Sequence, residues 1–275
     1  MNNVSPQQIV SDWIKGEVKL VPHSSPHTHY TGYSERYNQQ VFIKVLYNKS
    51  KYEAEVETGQ SYVQSPFIHG LEVQRTRSET PLYMIISQHL PLVEVTAMNE
   101  SVMKEAAQLV KTFHHSAQRS LDNDDLSIIK RLEKEVTKHS YEEKVIQLYS
   151  LFTPHIAKID HEYRRLPKVT IHGDLGFRNM YSVNKKLVLI DYEQARPGIT
   201  WEDFTKFFHR ELRNGTLEDA FLTEYGREHE PSDALKHLLY YIEALGIIRY
   251  TASFYDEAFA NLGEELLHKV KIFLT

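Results

Sequence analysis

His172-Gly173-Asp174-Leu175-Gly176-Phe177-Arg178-Asn179 places a histidine, an aspartate and an asparagine in the spacing H-x-D-x-x-x-x-N. Further on, the apolar run Leu187-Val188-Leu189-Ile190 ends on a second aspartate, Asp191. A β-type run, residues 168–171, also precedes the first motif, so both aspartates are expected where a strand gives way to a loop. Aspartate and asparagine cap turns routinely. It is the strand context of both motifs that makes the pattern specific. If the two runs pair as neighbours, Asp174, Asn179 and Asp191 project into one cleft.

Two carboxylates and an amide are the hard oxygen donors that Mg²⁺ takes, with a bound triphosphate supplying the remaining ligands. Phosphoryl transfer on a kinase-like scaffold needs an aspartate beside the acceptor hydroxyl, and an asparagine and a second aspartate on the metal. On this reading Asp174 orients the hydroxyl and takes its proton, Asn179 and Asp191 hold Mg²⁺, and His172 braces the loop by hydrogen bonding.

Working outward, the texture of the chain changes near residue 95. Before it, short β-like runs (18–21, 41–46, 82–86) alternate with turn residues, among them Asn38-Gln39-Gln40, and one helix is expected over 50–63. After it the apolar spacing is mainly helical. Val102, Ala106, Leu109, Val110 and Phe113 mark a helix over 99–115, and further helices are expected over 126–136, 141–152, 201–212, 217–225, 234–250 and 264–273. The expected fold class is α+β: a bilobal, protein-kinase-like plan with a small antiparallel-sheet lobe over 1–90, a hinge near 87–91, and a larger helical lobe over 91–275 that carries the catalytic loop and the acceptor site. Such folds take nucleotides between their lobes.

The bulk numbers narrow the partners. With no cysteine among 275 residues, a disulfide, a thiolate zinc site and a cysteine nucleophile are excluded. The net charge of −5 argues against nonspecific nucleic-acid binding. No apolar run approaches the roughly 20 residues of a membrane helix. Met1-Asn2-Asn3-Val4-Ser5 lacks the basic and apolar regions of a signal peptide, so a cytoplasmic protein without a membrane partner is expected. Nothing in the sequence speaks to oligomeric state.

The stretches IHGDLGFRN and VLIDYEQARPG resemble the aminoglycoside phosphotransferase and choline-kinase-like family, strongly over 165–208 and, by order of elements, over nearly the whole chain. The resemblance implies a catalytic base at Asp174, Mg²⁺ ligands at Asn179 and Asp191, and a loop brace at Asp203, with Gly198 matching the family's glycine. An Asp203 carboxylate near a helix N-terminus also suits the helix dipole. Protein kinases fit less well: Gly173 replaces the arginine of H-R-D, and Asp191-Tyr192-Glu193 replaces D-F-G.

On the nucleotide side, Lys44 inside the 41–46 run is either an exposed strand lysine or the lysine that contacts the phosphates of ATP or GTP. The downstream motifs favour the second reading. Glu53, Glu55 and Glu57 compete as its helix partner, and Glu55 best matches the family. A glycine-rich phosphate loop should follow the first strand. Instead the chain reads His23-Ser24-Ser25-Pro26-His27-Thr28-His29, with Gly32 late. Ser24 and Ser25 can offer hydroxyl and N–H groups. Ile86 is expected to line the purine pocket, and Gln88 and His89 to offer backbone groups to its edge.

On the acceptor side, acidic residues outnumber basic ones between Thr200 and Glu230. That suits a small cationic hydroxyl acceptor (an aminoglycoside, choline or another amino alcohol) with Glu202, Tyr192 and Trp201 as candidate contacts, or is a solvated helix face. A sugar acceptor is an equal candidate. The expected function is a Mg²⁺-dependent small-molecule kinase. The alternative is a catalytically silent pseudokinase that binds nucleotide and acts as a scaffold, which the degenerate phosphate loop favours and the intact Lys44, Asp174, Asn179 and Asp191 oppose.

Overall fold

The computed structural model describes residues 5–22, 27–74, 81–120, 127–138, 143–212, 215–254 and 256–275. In chain order its elements are α1 (Pro6–Ile14), β1 (Val18–Val21), β2 (Thr28–Ser34), β3 (Gln39–Leu46), α2 (Lys49–Ser61), β4 (Ile68–Val73), β5 (Leu82–Gln88), β6 (Val93–Glu94), α3 (Glu100–Ser116), α4 (Ile128–Thr137), α5 (Glu143–Phe152), α6 (Ile156–Arg165), β7 (Val169–Ile171), β8 (Met180–Val183), β9 (Lys186–Leu189), β10 (Arg196–Gly198), α7 (Thr200–Glu211), α8 (Gly215–Tyr225), α9 (Asp233–Ser253) and α10 (Glu257–Leu274). A single 3-10 turn, Phe177–Asn179, precedes β8. This is an α+β chain in two compact units. The first comprises Met1–Thr96, His115–Arg119 and Arg178–Arg196; the second comprises Ala97–His114, Ser120–Phe177 and Pro197–Thr275.

The first unit is built on an antiparallel sheet in the order β1-β2-β3-β5-β4. Side chains alternate between its faces with period two. Val41, Ile43 and Val45 of β3 and Leu82, Met84 and Ile86 of β5 pack on one face with Val10 and Ile14 of α1. Leu46, Tyr83 and Ile85 take the other face, against Tyr52 and Val56 of α2. Lys44 falls on this α2 face, opposite Ile85 in the β3–β5 register.

Two local expectations change, and Gly32 gains a structural reason. The β2–β3 turn is Glu35–Asn38 rather than Asn38-Gln39-Gln40: Asn38 takes the left-handed conformation at φ 51° that asparagine tolerates, and Gln39 and Gln40 already belong to the strand. Gly32 is no part of a phosphate loop. It sits in β2 opposite Val18, where a Cβ would lie 2.2 Å from the Glu17 carbonyl oxygen, so glycine permits the close approach of β1. The two motif runs do not pair with each other. β9 forms a hairpin with β8, and β7 pairs with β10. The β8–β9 connection is Asn184-Lys185 at φ 51° and 65°, positive φ at both central positions as a type I′ turn requires.

The second unit is helical. α9 packs against α10, α7, α4 and α6. Phe204 and Phe208 of α7 meet Phe221 and Tyr225 of α8 edge-on at ring separations of 4.9–5.6 Å, and Trp201 lies edge-on to Phe204 and Phe208 at 5.8 and 6.1 Å. No helix among the described residues is long and apolar enough to cross a membrane.

Candidate active site

In the first unit the site is assembled around Lys44. Asn48 caps α2 by accepting the Lys51 N–H at 3.1 Å, which sets the helix phase. Ala54, Glu55, Thr58 and Gly59 then form its buried stripe. That stripe selects Glu55 from the three competing glutamates: Glu53 pairs with Lys49 on the surface, and Glu57 with Arg119. Lys44 Nζ donates to Glu55 Oε2 at 2.9 Å and to Asp191 Oδ1 at 2.7 Å, and lies 2.7 Å from Glu193 Oε2. Burial opposes the charge on Lys44, but Glu55, Asp191 and Glu193 outweigh it and raise the ammonium well above the usual lysine range. Burial likewise pushes the Glu55 carboxyl up, against the pull of Lys44.

The β8–β9 hairpin brings the two expected metal ligands to neighbouring places. Met180 pairs with Leu189, and the Ile190 N–H donates to the Asn179 carbonyl at 3.0 Å, one residue short of Asp191. Asp191 leaves the strand at φ 66°, a conformation open to aspartate. Oxygens of Glu55, Asp191 and Glu193 all lie within 4.8 Å of one another. With Asn179 in the 3-10 turn just before β8, this hard, anionic donor set fits Mg²⁺.

Sequence reasoning missed Glu193, Lys51 and His27. Lys51 Nζ donates to Glu193 Oε1 at 2.8 Å, and His27 Nε2 lies 3.0 Å from Glu193 Oε2. Burial alone would raise the Glu193 carboxyl; His27 beside it, the charge of Lys44 and the hydrogen bond from Lys51 instead hold it far below the usual carboxylate range. The signal for Lys51 was available, since it lies one helical turn before Glu55 on the same face.

The other nucleotide-side expectations fare differently. Ser24 and Ser25 lie outside the described residues. Ile86 is fully buried in the core beneath α1, on the face away from Lys44; because side chains alternate, Ile85 holds the place beside the lysine. The Gln88 N–H donates to Phe67 O at 3.1 Å and the His89 N–H to Gln40 O at 3.0 Å, so neither amide is presented to a purine. Tyr192 is 1% exposed, its hydroxyl donates to the Leu189 carbonyl, and it meets Tyr62 edge-on at 6.0 Å, which makes it a core residue.

In the second unit the loop bearing Asp174 is held by Asp203. Its carboxylate accepts the His172 N–H at 2.7 Å and the Gly173 N–H at 2.8 Å. Gly173 turns at φ 76°, where any other residue would be strained, which gives the glycine of H-G-D a physical reason. Asp203 is 2% exposed and also lies 3.0 Å from His114 Nε2, while His114 Nδ1 lies 2.8 Å from the Tyr225 hydroxyl. Since a carboxylate only accepts, the ring donates through Nε2 to Asp203. His172 is fully buried with its ring against Phe113. Asp174 itself receives Lys206 Nζ at 2.8 Å on Oδ1.

Glu202 and Trp201 are structural here. Glu202 reaches back to the Ile199 N–H at 3.1 Å, accepts the Tyr163 hydroxyl at 2.8 Å, and pairs with Arg131. Trp201 is buried in the aromatic cluster, with Lys236 Nζ 4.6 Å from its ring centre. Much of the acidic excess over 200–230 is already matched: Glu211 by Arg210, Asp219 by Arg227, Glu230 by Lys236, and Glu224 by the amide of Gln108.

No family model matches the chain, and no curated protein does. Solved structures do. The aminoglycoside phosphotransferase APH(4)-Ia, as a thermostable mutant in ternary complex with AMP-PNP and hygromycin B, superimposes with a TM-score of 0.67 at 11% identity, over 97% of this chain and 98% of that one. The amicoumacin kinase hAmiN, in complex with AMP-PNP, Ca²⁺ and Ami, gives 0.62 at 10% identity, over 98% and 94%. Choline kinase LicA from Streptococcus pneumoniae gives 0.58 at 14%, over 98% of both chains. At these identities the likeness is one of fold, and the fold is the protein-kinase-like one expected from the two motifs.

Proposed function

We propose that this protein is a Mg²⁺-dependent small-molecule kinase that moves the γ-phosphoryl group of ATP or GTP to a hydroxyl of a small acceptor, working in the cytoplasm. The observation that carries this reading is the buried Lys44, held at once by Glu55 and Asp191 in a chain with the phosphotransferase fold. In this reading the segment 1–90 serves the nucleotide, 87–91 is the hinge, and 91–275 carries the catalytic loop and the acceptor.

Lys44 is the cation for the nucleotide phosphates, and Glu55 keeps it in place. Asn179 and Asp191 would hold Mg²⁺, with Glu193 near enough to join them; the ion would supply charge neutralisation at the phosphates. Asp174 orients the acceptor hydroxyl and takes its proton, while Asp203 and Gly173 hold the loop that presents it. Transfer is direct and in line, without a covalent intermediate.

The test is Asp174→Ala, assayed for ADP release with a panel of sugars, amino alcohols and aminoglycosides and for nucleotide affinity by calorimetry. Transfer should vanish while nucleotide binding survives. Turnover near that of the wild type would remove Asp174 from the chemistry. Nucleotide binding by the wild type without turnover of any acceptor would favour the scaffold reading.

A further inference from the structure

Asp174 has a cation of its own, and it comes from outside the catalytic motif. Lys206 on α7 donates to Asp174 Oδ1 at 2.8 Å and lies 4.0 Å from Glu243 Oε1 on α9, with its side chain 15% exposed. Its ammonium also stands 5.2 Å from the ring centre of Phe259 on α10. One helical turn on, Arg210 places its guanidinium 5.3 Å from the same ring and 3.5 Å from Glu211. The half-exposed Tyr250 meets Phe259 edge-on at 5.6 Å.

Asp174, Glu243 and the Phe259 ring, which would attract a cationic acceptor here, are therefore already engaged by side chains of the same unit. Lys206 engages Asp174 and stands beside Glu243. The Phe259 ring, the natural cation–π surface at this place, has Lys206 and Arg210 beside it. An incoming ammonium would have to displace Lys206 or sit against it, and like charges placed together are strongly disfavoured.

We propose that Lys206 is the specificity-determining residue of the acceptor side: it stands as a built-in ammonium where a cationic acceptor would bind Asp174 and Glu243, so the acceptor is an uncharged hydroxyl compound of the sugar or polyol class. This rests on the kinase reading above and narrows its acceptor. The aromatic edge of Phe259 and Tyr250 suits the apolar face of a sugar ring, and the hydroxyls of such a ligand place no second positive charge beside Lys206.

The experiment compares matched acceptors: glucose with glucosamine, and choline with its neutral isostere carrying a tert-butyl group in place of trimethylammonium. The wild type should favour the uncharged member by about tenfold or more in kcat/KM. Lys206→Met should erase that preference through KM of the cationic member, and Lys206→Arg should keep it. A wild type that prefers the cationic member, or a Lys206→Met variant with an unchanged ratio, overturns the proposal.

A binding arm decides the matter if no pair turns over. Choline is titrated against the melting temperature of the wild type, Lys206→Met and Lys206→Arg. A rise in Lys206→Met alone supports the screening role. An equal response in the wild type, or none in Lys206→Met, overturns it. Absence of turnover alongside the supporting binding pattern counts against the kinase reading and leaves the role of Lys206 standing.

Discussion

Lys44 Nζ and Asp191 Oδ1 stand 2.7 Å apart although 147 positions separate them in the chain. β3 and the β8–β9 hairpin, which belong to one compact unit, bring them together. Glu55 completes the arrangement from α2: Lys44 and Glu55 are buried, while the Asp191 side chain is 40% exposed. Groups kept this way are mutually dependent, and removing one leaves its partner charged and unmatched.

Lys44→Met should therefore destabilise the protein by about 3–5 kcal/mol, because Glu55 is left buried without its partner. Lys44→Met combined with Glu55→Gln should recover a large part of that loss. Chemical denaturation of the two single variants and the double variant measures the coupling, and strictly additive losses would show that the pair does not interact.

Asp203 holds the backbone of the loop bearing Asp174. Asp203→Ala frees the His172 and Gly173 N–H groups in a buried setting and should cost about 2–4 kcal/mol. It should also lower kcat more than nucleotide affinity. Hydrogen exchange at the Gly173 amide gives the direct readout: protection should drop in Asp203→Ala, and unchanged protection would place the support of the loop elsewhere.

His209 donates from Nδ1 to the Thr205 carbonyl at 2.9 Å and faces Tyr240 at 4.5 Å. Burial, assisted by the charge of Lys269, lowers its pKa to about 4. The folded state thus binds this proton less tightly than the unfolded chain, in which histidine titrates near ~6.5. Its contribution is complete above pH ~6.5 and is lost as the pH falls toward about 4, amounting to on the order of 1–3 kcal/mol for this partly buried ring. Denaturation midpoints measured across that window should fall in the wild type and fall less in His209→Gln. Parallel curves would exclude His209 as the source.

The motifs and the texture change near residue 95 made the fold class and the long helices legible, because period-two runs and helical spacing report local burial directly. β8, only four residues long and half-buried, was missed. With it went the true pairing of the motif strands, which depends on a long-range choice of partner. Ile86 was assigned to the wrong face of the sheet, although alternation counted from Lys44 would have chosen Ile85. The surroundings of Glu193 and Lys206 were invisible for a different reason. Each meets partners from other elements, and an i,i+2 or i,i+4 pattern along one segment carries no trace of them. The acidic excess over 200–230 left both readings open, because composition cannot tell a free carboxylate from one already paired.

The most direct test of the central claim is the melting temperature of the wild type and of Asp191→Ala with ATP or GTP, each with and without Mg²⁺. A ligand that binds only the folded state raises the melting temperature by mass action. A rise that requires Mg²⁺ in the wild type and is lost in Asp191→Ala is the predicted result. No rise with either nucleotide, or a rise of the same size in Asp191→Ala, would contradict a Mg²⁺-dependent nucleotide site built on Lys44 and Asp191.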